Sequence, residues 1–195
     1  MALRRGFKSE AEALAEEMRA ELDLGNTKRL DPQILADHLE IPVWTLTDVS
    51  GRSSGSEDGR SVKEAILELQ SQSSDAFSAM TVFRGPERVI VHNDRHDTGR
   101  QASNITHELA HGLLLHPASA AIDDRGCRNW AGDVEDEASY LGGALLIPGK
   151  GARWIARVGM SVAEAASRFG CSADMVRWRL NVSGAQRIAK AQGRV

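Results

Sequence analysis

Two histidines and a glutamate form the part of the sequence best suited to chemistry. His107 and His111 stand four residues apart, and Glu108 follows the first of them, within the run THELAHGLLLHP at 106–117. On an α-helix, residues with this spacing lie about 40° apart around the axis, so both imidazoles face one side and can bind one metal ion. Glu108 would then be placed to act as a general base toward a water that the metal activates.

The opposite face of the same helix is apolar. Ile105, Leu109 and Leu113 share one stripe, and Pro117 follows as a stop signal. An amphipathic helix that contains two histidines by chance is the alternative interpretation. Because the leucines account for packing on their own face, the histidines remain free to act as ligands, and the sequence favours a metal site.

A third ligand must come from elsewhere, because catalytic zinc sites usually have three protein ligands and one open position. The segment DVEDEASYLGGALLIP, 133–148, is predicted to be a helix that Gly142 and Gly143 allow to pass close to the histidine helix. Three acids at 135–137 compete for the role. Glu135 lies seven residues before Gly142, on the glycine face, and is the predicted ligand. The alternative is that all three acids only favour the N-terminal end of a helix.

Periodicity and turn residues predict the elements that position these side chains. Helices are predicted at 8–23, with a capping box of Ser9 and Glu12, after Asp31 and at 61–70, and strands at 41–46, 77–85 and 87–94. The glycine- and serine-rich segment 49–61 is predicted to be a mobile loop. The expected fold class is α+β, mostly helical, with a small twisted sheet of about three strands. This sheet is expected to pack on the helix that carries His107, Glu108 and His111, the HExxH motif.

Composition excludes several classes of protein. The chain has 24 basic and 27 acidic residues and a net charge of −3, which gives no general attraction to nucleic acid or to an anionic membrane. No stretch approaches the roughly 20 apolar residues of a membrane span. Two cysteines, Cys127 and Cys171, are too few for a disulfide framework. We expect a cytoplasmic protein with reduced thiols.

The C-terminal segment VAEAASRFGCSADMVRWRL, 162–180, has the spacing of a helix-turn-helix. It could bind DNA through the phosphate contacts of basic residues, namely Arg177, Arg179, Arg187, Lys190 and Arg194. The same spacing also occurs where two short helices pack around a glycine turn. We expect the apolar residues to complete the core and the arginines to form a solvated face.

The sequence resembles the ImmA/IrrE family of bacterial and phage metallopeptidases over most of its length. The resemblance is carried by RRGFKSEAEALAEEMRAEL, FRGPERVIVHNDRHDTGRQASNITHELAHGLLLHP and EDEASYLGGALLIP. Its most specific parts are the histidine motif and the pattern E-x-E-A-x-x-x-x-x-x-LL-x-P. The resemblance implies a zincin-like domain and a zinc endopeptidase of the gluzincin type, in which His107, His111 and Glu135 bind Zn2+ and Glu108 is catalytic. Ser139 stands where asparagine is usual, and its hydroxyl can still support a ligand histidine.

Other polar residues have weaker candidate roles. Tyr140 and His116 are possible donors to a developing oxyanion, and the resemblance suggests a structural or substrate-facing role for Arg100. His92 and His96 form a second H-x-x-x-H, but Asn and Asp between them favour a turn, so no second metal site is expected.

The resemblance also implies a partner. Members of the ImmA/IrrE family relieve repression by cleaving a helix-turn-helix transcriptional repressor of a stress response or a mobile element. We therefore expect such a repressor as the substrate, with a metallopeptidase domain at 1–150 and a helical extension at 151–195 packed on it. One alternative is a non-proteolytic regulator that binds a partner protein, as in a toxin–antitoxin pair, and the other is a DNA-binding regulator.

Overall fold

The computed structural model describes residues 3–52, 77–84, 87–116 and 132–191. Their helices are α1 Phe7–Glu21, α2 Pro32–His38, α3 Leu46–Arg52, α4 Thr98–Leu113, α5 Gly132–Leu146, α6 Gly149–Val158, α7 Val162–Phe169, α8 Ala173–Val182 and α9 Ala185–Ala191. The strands are β1 Val43–Thr45, β2 Ala79–Arg84 and β3 Glu87–His92. The predicted fold class, α+β and mostly helical with one small sheet, is confirmed. Within these ranges, no helix is both long and apolar enough to cross a lipid bilayer.

The sheet places β3 between the other two strands. β1 pairs with β3 in parallel, with Val43 opposite Ile90, and β2 pairs with β3 antiparallel, with Thr81 opposite the same residue. Ile90 is fully buried. The strands predicted at 77–85 and 87–94 are therefore present as an antiparallel pair, and residues 85 and 86 between them lie outside the described residues. Within the described sheet, β2 is an edge strand beside α4.

The start of α1 differs from the prediction. The helix begins at Phe7 after Gly6, which has φ 88°, and no side chain caps it. The capping box of Ser9 and Glu12 is wrong because the left-handed glycine already starts the helix at an earlier residue. Glu12 turns inward instead, where its carboxylate accepts hydrogen bonds from the Arg179 guanidinium at 2.6 Å and from the backbone N–H of Gly149 at 2.6 Å.

Part of the predicted loop at 49–61 is also wrong. Its first residues, 49–52, belong to α3. Thr45 and Asp48 start that helix by a reciprocal exchange: each backbone N–H donates to the other's side-chain oxygen at 2.9 Å. The rest of the predicted loop and the predicted helix at 61–70 lie outside the described residues.

The helices after residue 150 share the main hydrophobic core. Phe169 and Val176 are fully buried and belong to the same cluster as Leu141 of α5. The start of α4 also touches the turn between α7 and α8, since a Cβ at Gly99 would lie 2.7 Å from the backbone of Cys171. The C-terminal helices therefore pack against both helices of the candidate site, and the domain boundary at 150 stays a prediction.

Two buried arginines hold the C-terminal end of α5. Arg19 donates to the carbonyl of Leu145 at 2.7 Å, and Arg179 donates to the carbonyl of Ile147 at 2.8 Å. Both side chains are fully buried, so the prediction that Arg179 lies on a solvated face is wrong. Burial lowers the pKa of Arg19 to about 10, which leaves it charged at neutral pH. The two cations face the end of the helix where unpaired carbonyls accumulate, a favourable placement.

Candidate metal centre

Helix α4 brings the two histidines together. Asp97 caps it by accepting a hydrogen bond from the backbone N–H of Arg100 at 3.0 Å. One turn apart on this helix, His107 and His111 place their Nε2 atoms 3.1 Å from each other. The Ile105 and Leu109 side chains on the other face are buried, so the histidine face is turned away from the main core.

A close helix crossing brings α5 to the same place. A Cβ at Gly142 would lie 3.1 Å from the Cα and N atoms of His107, which is tighter than ordinary van der Waals contact. The predicted close approach is thus made by Gly142. Gly143 has a different neighbour, because a Cβ there would lie 3.2 Å from Met175 Sδ in α8. One glycine admits the histidine helix, and the other admits a C-terminal helix.

Glu135 is the acid that reaches the histidines. Its Oε2 lies 3.2 Å from Nε2 of His107, and its Oε1 lies 3.4 Å from Nε2 of His111. Hydrogen bonding to His107, and then to His111, holds the pKa of this carboxyl well below its usual range. Glu137 points elsewhere, since its carboxylate lies 3.1 Å from Arg4 Nε and 3.6 Å from His116 Nε2.

The donor set fits a zinc ion. Zn–N bonds of about 2.0–2.1 Å in a tetrahedral site separate neighbouring ligand atoms by about 3.3 Å. The separations of 3.1, 3.2 and 3.4 Å found here match that edge. Two imidazoles and one carboxylate also leave the fourth position open, as a catalytic zinc site requires. The structure therefore brings together His107, His111 and Glu135 in the expected arrangement, and their role as ligands stays a prediction.

Partners on the far ring nitrogens orient both imidazoles. Ser139 Oγ lies 3.4 Å from Nδ1 of His107, and Nδ1 of His116 lies 2.9 Å from Nδ1 of His111. Because Nδ1 of each ring is occupied in this way, Nε2 is the atom presented to the shared centre. The contact of Ser139 is the one that the resemblance implies. Burial, and next the charge of His111, lower the pKa of His116, which favours a neutral ring able to accept from its neighbour.

Glu108 lines a cavity together with the three candidate ligands. The cavity has a volume of about 420 Å³, and its lining includes His107, His111 and Glu135 as well as Ser78 and Ala79 at the start of β2. Glu108 is only 8% exposed, and its Oε2 accepts a hydrogen bond of 2.6 Å from the Thr81 hydroxyl. That bond fixes the carboxylate at one oxygen.

Thr81 was not found by sequence reasoning. It is a buried polar residue in β2, whereas the next residue, Val82, which points to the opposite face of the strand, is 44% exposed. This inverts the usual alternation, in which the apolar side chain of a strand faces the core. Nothing in the sequence pattern marks the inversion before the strand is placed against α4.

The weaker candidates are distributed differently from expectation. His116 lies behind His111 and does not line the cavity that contains Glu108, so a direct oxyanion contact does not fit its position. The Tyr140 hydroxyl donates to Glu12 at 3.1 Å, which commits it to the buried contacts between α1 and α5. Arg100 Nη2 lies 3.4 Å from the Ser78 hydroxyl, at the rim of the cavity.

The second histidine pair spans the end of β3, with His92 as its last residue and His96 in the turn that follows. His96 Nδ1 lies 3.1 Å from the Asn104 amide nitrogen, and both His92 and His96 are buried. Desolvation lowers the pKa of His92. Among the residues that the structure describes, the one group of three or more potential ligands close enough to share a metal ion is that of His107, His111 and Glu135.

Comparison with known proteins agrees with this geometry. The family model described as the IrrE N-terminal-like domain, Peptidase_M78, matches residues 61–181, which is more than half of the chain. No curated protein and no solved structure matches the chain. The match spans the histidine helix, the glutamate helix and the C-terminal helices that pack on them. The chain therefore belongs to the IrrE N-terminal-like domain family, Peptidase_M78, and carries a metallopeptidase-like domain.

Proposed function

We propose that this protein is a cytoplasmic zinc endopeptidase that hydrolyses a peptide bond in a protein partner. The observation that carries the proposal is the convergence of three ligand atoms at tetrahedral spacing beside a buried, hydrogen-bonded glutamate. When bound, a zinc ion supplies Lewis-acid activation of water and of the substrate carbonyl. The remaining steps belong to residues of the chain.

Glu108 is the proton carrier. Its carboxylate, held by Thr81 at one oxygen, accepts a proton from the attacking water and later passes it to the leaving amine. Ser139 and His116 keep the two imidazoles oriented, which holds the attacking water at a fixed position relative to Glu108. The low exposure of Glu108 limits competing bulk water around this proton transfer.

The edge strand β2 offers a place for the substrate backbone. Ser78 and Ala79 line the cavity at the start of this strand, and β2 has one paired side in the described sheet. A peptide that adds to the free side as a further strand would lie extended across the ligands. We propose a helix-turn-helix repressor as the partner, on the strength of the family resemblance, with relief of repression of a stress-response or mobile-element gene set as the result.

The variant Glu108→Gln tests the enzymatic role. It removes the proton acceptor and keeps the size of the side chain, so zinc content and melting temperature should stay near those of the wild type. Cleavage of the helix-turn-helix repressor proposed as substrate should fall by at least about a hundredfold. His111→Ala is the matched variant on the same helix, and it should lose zinc together with activity.

Two outcomes would overturn the proposal. If Glu108→Gln still cleaves the repressor, the glutamate is not the proton carrier. If cleavage is lost while the repressor still responds in cells, binding of a partner protein becomes the better account. Mass spectrometry of cells that express either form identifies cleaved proteins without prior choice of a substrate.

A further inference from the structure

A second cavity opens beside the metal centre. It has a volume of about 370 Å³, and it shares Asn104 and His107 with the cavity that contains Glu108. Its other walls come from three helices: Ser103 of α4, Ser139, Gly142 and Gly143 of α5, and Met175 and Trp178 of α8. Because a ligand histidine forms part of its wall, anything bound in this cavity lies next to the reacting bond.

The apolar wall is held in a fixed position. Gly143 allows Met175 and Trp178 to lie directly on α5. The Trp178 ring makes an edge contact with Tyr140 at 6.2 Å between ring centroids, and the Arg179 guanidinium lies 5.8 Å from the Trp178 ring centre. Tyr140 and Arg179 are both buried, so the indole rests on rigid neighbours while it remains half-exposed toward the cavity.

The chemistry of the walls selects an apolar ligand. Trp178 and Met175 offer apolar and polarisable surface, and methionine adapts to side chains of different shape. The polar groups at the border already have partners: Ser139 contacts His107, and Asn104 contacts His96. No carboxylate, lysine or arginine belongs to the described lining, so a charged side chain would find no counter-ion there.

We propose that this cavity, bounded by Met175 and Trp178, binds the apolar side chain of the substrate residue beside the scissile bond. The inference rests on the proposed peptidase function and adds a substrate preference to it. It also assigns a role to α8, whose Met175 and Trp178 side chains would contact the substrate rather than DNA.

Short peptide hydroxamates test this subsite without a known substrate. The hydroxamate group chelates zinc, and the four compounds differ in the adjacent residue, which is glycine, leucine, phenylalanine or aspartate. Calorimetric titration of the zinc-loaded full chain should show leucine and phenylalanine compounds binding at least about tenfold more tightly than the glycine compound, as expected for filling an apolar pocket. The aspartate compound should bind more weakly than leucine. Binding of the phenylalanine compound should change tryptophan fluorescence in the wild type and much less in Trp178→Phe.

A substitution in the wall of the cavity should change which substrate side chain it prefers. Met175→Glu places a carboxylate in the cavity, so the leucine compound should lose about tenfold or more in affinity and a lysine compound should gain. The affinity of the glycine compound, which has no side chain to fill the cavity, is the reference for each variant. If Met175→Glu fails to fold, Met175→Ala enlarges the cavity and should favour phenylalanine over leucine. Arg177→Ala, on the exposed face of α8, is the control and should behave as wild type.

The outcomes separate this inference from the function on which it rests. Equal affinity for all side chains, or an unchanged preference in the Met175 variant that folds, overturns the subsite and leaves the peptidase proposal standing. If no compound binds, including glycine hydroxamate, the zinc site itself is refuted and the subsite falls with it.

Discussion

The two halves of helix α5 are built for different tasks. Residues 132–137 are exposed or half-exposed, and they present Glu135 to the histidines and Glu137 to His116. From Tyr140 to Leu146 every residue is buried, and the chain beyond is held by Arg19 and Arg179. The helix is thus anchored at one end, and its other end presents carboxylates to the histidines. The candidate ligand Glu135 and the anchored carbonyl of Leu145 are therefore separated by about three turns of one helix.

The buried half should respond most strongly to substitution. Arg179→Met removes the partner of Glu12 and the donor to the Ile147 carbonyl. Breaking a buried pair on one side typically costs about 3–5 kcal/mol, so the free energy of unfolding should fall by that order, as measured by urea denaturation. Arg177→Met is the matched control: Arg177 is 60% exposed and paired only at the surface in its bond to Asp174, so its loss should cost about 1 kcal/mol or less. Equal losses in the two variants would contradict the assigned anchoring role.

The exposed half should affect the metal and leave the fold intact. Glu135→Gln removes one of the three predicted ligands, so the zinc dissociation constant should rise by more than the roughly hundredfold that loss of a supporting partner can cause. The metal-free melting temperature should stay near that of the wild type, because Glu135 lies at the half-exposed end. Added zinc should raise the melting temperature of the variant less than that of wild type. A variant that keeps wild-type zinc affinity would remove Glu135 from the ligand set.

A smaller effect is expected at the contact that supports His111. His116→Ala removes the imidazole that contacts Nδ1 of His111. Zinc affinity should therefore fall about 10- to 100-fold, as for other partners of ligand histidines. Competition with a chelator measures this without a substrate. Leu115→Ala changes the neighbouring residue, which is 83% exposed, and should leave zinc affinity unchanged. The same affinity in both variants would show that His116 does not orient its neighbour.

The parts of this arrangement that local sequence determines could be predicted. Helical spacing alone placed His107 and His111 on one face, and the position of Gly142 selected Glu135 over its acidic neighbours. The strand pair followed from residue types at 77–94, and the third strand of the small sheet from those at 41–46. These inferences succeed because each depends on periodicity within one element or on a single close crossing.

The parts that depend on long-range contacts could not be predicted. Thr81, Arg19 and Arg179 are polar residues, yet each is buried and forms a hydrogen bond with a partner distant in sequence. The inward turn of Glu12 and the separate partners of Gly142 and Gly143 are of the same kind. Their positions become apparent only when two elements are placed side by side.

The hydrogen bond between Glu12 and Arg179 also has a consequence for biosynthesis. It joins residues 167 positions apart, and at about 5–20 residues per second a ribosome needs roughly ten to thirty seconds to make the intervening chain. During that interval the Glu12 carboxylate on α1 has no Arg179 guanidinium to pair with. Helix α5 is also complete before α8 is made and can hold the C-terminal end of α5. The two helices that carry the candidate ligands are therefore synthesised before Arg179, the later of their two anchoring arginines, so this part of the core forms only after α8 has been made.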